Sequence, residues 1–186
     1  MAADTEMTLI RRAQAGDADA FGTLVERHMR RAYFAALSLV GTREDALDLS
    51  QEAFARAYRA RKSIDPERPF YAWLYQILRR LCFNFVRDRR SHAQKLSDAR
   101  TWLADEATGR AAPDPAQALE QAEARRVVAA AIEQLPPRER EVLALKEFEG
   151  LTYREIAGLV GIPIGTVMSR LYAARQRLAQ VLEECR

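Results

Sequence analysis

The sequence predicts an all-α protein: two small helical domains joined by a flexible acidic linker, the C-terminal one a helix-turn-helix. Three observations predict it. Apolar residues recur at three- and four-residue spacing through most of the 186 residues, and strand-like alternation is almost absent. Gly and Pro number only 8 and 7, so breaks between helices are few. One of those breaks, residues 97–116, contains Gly109, Pro113 and Pro115 and has no sustained apolar stripe. It divides the chain into residues 1–96 and 117–186, each of a size for one small domain. Hydrophobic residues make up 48% and charged ones 30%, enough for each part to bury a core and keep a solvated surface.

In chain order, the apolar spacing predicts helices over roughly 6–16, 18–39, 43–61 and 69–90, then 117–135, 137–149, 152–159 and 163–183. The third is amphipathic. Leu47, Phe54 and Tyr58 are expected to face the core, while Asp45, Asp48 and Glu52 recur at i, i+3 and i+7 on the other side, bordered by Gln51. Taken alone, such a stripe is an ordinary solvated helix face. The fourth helix reverses the charge: from Arg79 through Lys95 six positive side chains stand against Asp88, a net of +5. Arg80, Asn84 and Arg87 share one face, and Leu78, Leu81 and Phe85 point elsewhere. Arginines on such a face suit phosphates, and an Asn suits a base edge. The aromatic group at the helix start, with Trp73 in it, reads chiefly as core. Past this helix the balance turns again. From Asp98 through Glu123, Arg100 and Arg110 stand against six acids, a net of −4, which marks the linker as acidic.

The strongest local signal begins at Leu151. Thr152 followed by Glu155 forms a capping box, with Ile156, Ala157 and Val160 on the inward face of a short helix. Gly161 supplies a left-handed turn and Pro163 suits the first turn of the next helix. In that helix Val167, Leu171 and Ala174 pack inward. The other surface carries Thr166, Ser169, Arg170, Ala173 and Arg177, flanked by Arg175. From Thr152 to Leu182, Arg154, Arg170, Arg175 and Arg177 oppose Glu155 alone, a net of +3. Short hydroxyls followed by arginines suit a helix lying in the DNA major groove. A helical hairpin with a solvated basic face fits the same spacing.

Other classes find little support. Cys82 and Cys185 have no metal-ligand spacing and suggest a reducing compartment, Cys82 as a buried structural thiol. His28 and His92 lack ligand spacing too, and no Gly-rich phosphate loop or nucleophile–base pair stands out, so no catalysis, metal or cofactor is expected. The N-terminus is polar and the apolar runs are short, which predicts a cytoplasmic protein without membrane insertion.

Together these pieces resemble the extracytoplasmic-function group of sigma factors of bacterial RNA polymerase, in the sigma-70 family. Asp48-Leu-Ser-Gln-Glu-Ala-Phe-Ala-Arg-Ala-Tyr resembles their polymerase-docking helix. Phe70-Tyr-Ala-Trp-Leu-Tyr-Gln-Ile-Leu-Arg-Arg-Leu resembles the start of their promoter-melting helix. Leu135-Pro-Pro-Arg-Glu-Arg-Glu-Val-Leu resembles the start of their C-terminal domain, and Pro163-Ile-Gly-Thr-Val-Met-Ser-Arg-Leu their recognition helix. Four motifs in order span nearly the whole chain.

The resemblance implies an alternative sigma factor rather than an enzyme, with residues 1–96 as the sigma-2 domain, 97–116 as linker and 117–186 as the sigma-4 domain. Asp45, Asp48, Gln51 and Glu52 would meet the clamp helices of the largest subunit of core RNA polymerase. Arg79, Arg80, Asn84, Arg87 and Arg90 would face the minus-ten element of promoter DNA. The loop from Lys62 to Arg68 would receive a flipped base. Arg154, Thr166, Ser169, Arg170, Ala173, Arg175 and Arg177 would meet the minus-thirty-five element, the C-terminal domain would sit on the polymerase flap, and an anti-sigma factor would hold the protein inactive. Many relatives carry basic residues where Met168 and Ala173 stand, and a less rigid loop than Ser63-Ile-Asp-Pro-Glu-Arg-Pro. Two other readings remain open: a polymerase-independent helix-turn-helix regulator, which would dimerise on a palindrome, and a sigma mimic that sequesters anti-sigma factors.

Overall fold

Side-chain periodicity becomes seven bounded α-helices, with helical backbone also at 127–128, 130–132 and 134, in a computed structural model that describes residues 5–96, 127–128, 130–132 and 134–184, with backbone only for 90–96 and 184. They are α1 (Glu6–Gln14), α2 (Ala18–Val40), α3 (Arg43–Arg59), α4 (Phe70–Leu96), α5 (Pro137–Glu147), α6 (Tyr153–Val160) and α7 (Ile164–Glu184). A 3-10 turn, Arg61–Ser63, follows α3. No strand occurs among the described residues. The linker expected at 97–116 lies outside them, as do Cys185 and the side chain of Arg90.

Local chemistry sets the helix ends. Asp17 caps α2 by accepting from the Ala20 N–H at 3.0 Å, and Gly41 ends that helix in the left-handed region at φ 87°. The Ala20 N–H, joined by Arg12, holds the Asp17 carboxyl below its ordinary range. The start of α4 is capped from far away: the Phe70 N–H donates to Glu6 Oε1 at 2.7 Å, while Glu6 Oε2 meets His28 Nε2 at 2.8 Å. This single carboxylate ties α1, α2 and α4 together. The α4 helix runs to Leu96, beyond the expected end near 90, because nothing from Phe70 to Leu96 breaks it.

The first four helices close around Leu9, Ile10, Leu24, Leu39, Phe70, Leu74, Tyr75 and Leu78. A second apolar group joins Leu135 and Val142 to Ile156, Val167, Leu171 and Ala174. The two groups are continuous, since α2 packs on α5 and α4 on α6. One expected core residue is corrected: Leu47 is 46% exposed, whereas Phe54 is buried and Tyr58 packs half-buried against Phe21. Its helix face is the one that carries Asp48 and Gln51, which are exposed as well. Trp73 is half-buried against Phe70, as a core-edge aromatic.

Candidate nucleic-acid interface

Three surfaces hold the candidate residues. On α4, burial of Leu74, Leu78 and Leu81 fixes the helix rotation and turns Arg80, Asn84 and Arg87 outward, where all three are exposed. Arg80 and Asn84 border a cleft of about 310 Å³, completed by Gln76, Arg79, Phe83 and Arg138. Such a cleft combines cations, amides and one aromatic face, the groups that hold phosphates and bases.

Arg79 lines the same cleft but is half-buried, unlike Arg80, Asn84 and Arg87. Its guanidinium forms a bidentate pair with Glu141 of α5, Nε to Oε1 and Nη2 to Oε2 (3.2 Å), and lies over the Phe83 ring at 4.8 Å. Burial works against the Arg79 charge, but the Glu141 carboxylate more than offsets it and raises the arginine pKa. Tyr75 donates its hydroxyl to the same Glu141 Oε1 at 3.0 Å. Burial, then the carboxylate charge, pushes that phenol well above its ordinary value. Nearby, Glu149 accepts from Arg31 at 2.7 Å and from the Tyr71 hydroxyl at 3.3 Å. Gln76 donates to the Leu159 carbonyl. The two helical halves therefore meet through two acids of the C-terminal half and donors of the N-terminal half. Sequence reading missed Glu141 and Glu149, because each stands in a charged stretch of sequence and signals burial only once its distant partners are known.

The loop between the 3-10 turn and α4 is fastened to α1. Gln14 donates to the Ile64 carbonyl at 2.8 Å, Arg61 to the Ala13 carbonyl at 3.2 Å, and Arg11 pairs with Glu67 at 3.2 Å. Lys62 and Arg68 stay exposed, Arg68 paired with Asp65 at 3.2 Å.

The acidic stripe of α3 is divided. Asp45 accepts from Thr42 and lies 3.4 Å from Arg89, and Glu52 lies 2.7 Å from Arg56, whose hydrogen bond lowers the Glu52 pKa. Asp48 and Gln51 project into solvent beside the exposed Leu47. An acid, an amide and an apolar side chain thus stand side by side on the exposed face of α3.

The helix-turn-helix is present as expected. The Glu155 N–H donates to Thr152 Oγ1 at 3.3 Å and the Thr152 N–H donates to Glu155 Oε2 at 2.7 Å. The Thr152 hydroxyl, then its N–H, lowers the Glu155 pKa. Gly161 turns the chain at φ 76°, and Pro163 stands just before α7 with its carbonyl accepting from Thr166 N–H at 2.9 Å. The axes of α6 and α7 are bent by 105°, within the range of DNA-binding helix pairs. Val167, Leu171 and Ala174 are buried; Arg154 and Ser169 are exposed; Thr166 and Ala173 are half-buried. The arginines are more committed than their spacing implied. Arg175 pairs with Glu147 at 2.7 Å and Arg177 with Glu139 at 3.0 Å. Arg170 is half-buried, with Nη1 lacking a hydrogen-bond partner among the described residues. No cluster of potential metal ligands occurs among the described residues, and no single helix there is long and apolar enough to cross a membrane.

Two family descriptions match the chain: Sigma-70 region 2 over residues 24–92 and Sigma-70, region 4 over residues 125–178. The chain is 34% identical to the RNA polymerase sigma-H factor of Pseudomonas aeruginosa, over 97% of this chain and 95% of that one. It is 33% identical to the ECF RNA polymerase sigma-E factor of Escherichia coli K12, over 94% and 92%. Among solved structures, CnrH in complex with the cytosolic domain of CnrY matches with TM-score 0.65 and 28% identity, covering 97% of this chain and 99% of that one. The sigma factor RpoE of Bartonella quintana, in complex with the anti-sigma factor NepR, matches in fold with TM-score 0.68 at 24% identity, covering 91% and 100%.

Proposed function

We propose, from the premise that this chain belongs to the extracytoplasmic-function sigma factors of the sigma-70 family, that three of its surfaces divide the work of promoter recognition. It is an alternative sigma factor: it binds core RNA polymerase and directs initiation at particular promoters, under the control of an anti-sigma factor. The residue assignments are our own reading. Asp48 and Gln51, with Asp45 and Glu52 at their edges and Leu47 between them, dock on the clamp helices of the polymerase. Arg80, Asn84 and Arg87 face the minus-ten element, with the fastened loop from Lys62 to Arg68 taking a base from the opened strand. The α6–α7 pair takes the minus-thirty-five element. Residues 1–96 and 117–186 act as separate domains on the polymerase, and the protein works in the cytoplasm without chemistry of its own.

The observation that carries this is the outward triad Arg80, Asn84 and Arg87 on the same chain as a capped helix pair bent by 105°. A regulator working through the helix pair alone needs no such second face. Neither surface must bind DNA tightly, because the polymerase holds both at once and makes the second contact effectively intramolecular.

The test is transcription in vitro from a genomic fragment library with core polymerase, comparing the native protein with Asp48→Arg. Asp48 is exposed, so the variant is expected to fold. Discrete new start sites that disappear with the variant support the assignment. New start sites unchanged by the variant would remove the docking role from α3.

A further inference from the structure

The outward surface of α7 is unusual for a helix meant to meet a polyanion. Ile164, Met168 and Tyr172, spaced by four, are 42%, 52% and 68% exposed. Between them Gly165 leaves the surface bare, with open space where a side chain would stand. Ser169 lies on the same side, its hydroxyl donating to the Thr166 carbonyl at 3.1 Å. Arginines, the usual readers of guanine in the major groove, are scarce on this surface. Arg175 and Arg177 are drawn back to α5 by Glu147 and Glu139, and Arg170 is half-buried. The first turns of a recognition helix supply the contacts to base edges. Here those turns present a thioether, a phenol ring and an aliphatic side chain.

The major-groove edge of DNA offers one apolar group, the 5-methyl of thymine. We propose that Met168, with Tyr172 one turn further on, reads thymine methyl groups in the upstream promoter element, so that this helix selects sequence by apolar contact. Met168 suits the task because its unbranched thioether adapts to the shape it meets. The Tyr172 ring is steadied by Gln176, whose Nε2 donates to the phenol oxygen at 3.3 Å. The exposed Arg154 on α6 remains for phosphate, as expected of the helix that crosses the backbone. The inference rests on α7 being the recognition helix and adds what that helix recognises.

The experiment uses the full chain in holoenzyme with core polymerase. A promoter library randomised upstream is selected for binding, and each thymine of the enriched element is then replaced singly by deoxyuridine, which removes only the methyl group. At one or two positions the expected loss of affinity is about fourfold, the equivalent of ~0.8 kcal/mol for one methyl group withdrawn from water. That loss is expected to vanish in Met168→Ala or Tyr172→Ala, both exposed positions at which folding is not at stake. The proposal is overturned if no deoxyuridine costs more than about 1.5-fold, or if the loss is unchanged in both variants. Should no upstream element be enriched at all, the recognition role of α7 fails together with it. An enriched element insensitive to methyl removal sinks only the apolar reading.

Discussion

Arg79 of α4 and Glu141 of α5 meet through two hydrogen bonds across the boundary between the two helical halves, and the Glu141 side chain has no solvent exposure. A buried carboxylate is tolerable only while its donors stay in place. Tyr75 supplies the third hydrogen bond, so the acid is satisfied on both oxygens.

Glu141→Gln keeps the shape and removes the charge, leaving Arg79 without its counter-ion. Because Arg79 is partly solvated, the expected cost is about 1–3 kcal/mol rather than the larger figure for a fully buried pair. Thermal unfolding of the variant is the check, and an unchanged Tm would mean that the pair contributes little.

Two neighbouring arginines are expected to behave differently. Arg80→Ala removes an exposed cation and should leave stability unchanged while lowering promoter affinity of the holoenzyme about tenfold. Arg79→Ala should lower stability, because it takes the balancing charge from buried Glu141 and leaves it the Tyr75 hydrogen bond. Parallel melting curves and promoter-binding titrations separate the two.

The capping box gives a prediction about acid. Thr152→Ala is expected to cost about 1 kcal/mol and to show as earlier melting of the C-terminal helices. The Glu155 carboxyl sits below its ordinary value of 4.5 because Thr152 hydrogen-bonds its charged form. A depressed carboxylate stabilises the fold above its unfolded pKa, and that contribution is lost as pH falls through the lowered folded value. Below pH 4.5 the native protein should therefore lose some of its advantage over Thr152→Ala. Denaturant titrations at several acidic pH values are the measurement.

Cys82 should be inert. Burial, then the nearby Glu141 charge, pushes its thiol up to about 12, so almost no thiolate exists near neutrality. Alkylation by iodoacetamide at pH 8 is expected to be at least about a hundredfold slower in the folded protein than in denaturant, followed by mass spectrometry of the peptide. Rapid native labelling would reopen a redox role.

The helix-turn-helix was legible because its determinants are local. Thr152 and Glu155 lie three residues apart, Gly161 ends α6 at the turn, and the inward Val167, Leu171 and Ala174 follow one spacing. The face of Arg80, Asn84 and Arg87 was legible for a related reason: the apolar residues opposite it had to be buried. Spacing cannot say what covers a face, and so it assigns Leu47 to the core although that side chain is 46% exposed. Nor can it reveal partners distant in sequence. Glu141 takes its donors from a helix 62 residues earlier, and the arginines of α7 are restrained by acids of α5 that look, in sequence, like ordinary surface charges.

The Glu6 carboxylate at the start of α4 has a consequence for the order of assembly. Glu6 is made before Phe70, and its acceptor oxygen waits for an N–H that lies 64 residues later. Closing so distant a pair demands that the intervening helices be gathered first, a non-local step that slows folding relative to helices that pair as they emerge. The helix that carries Arg80, Asn84 and Arg87 is thus fastened at its root only when α1 and α2 have come to meet it.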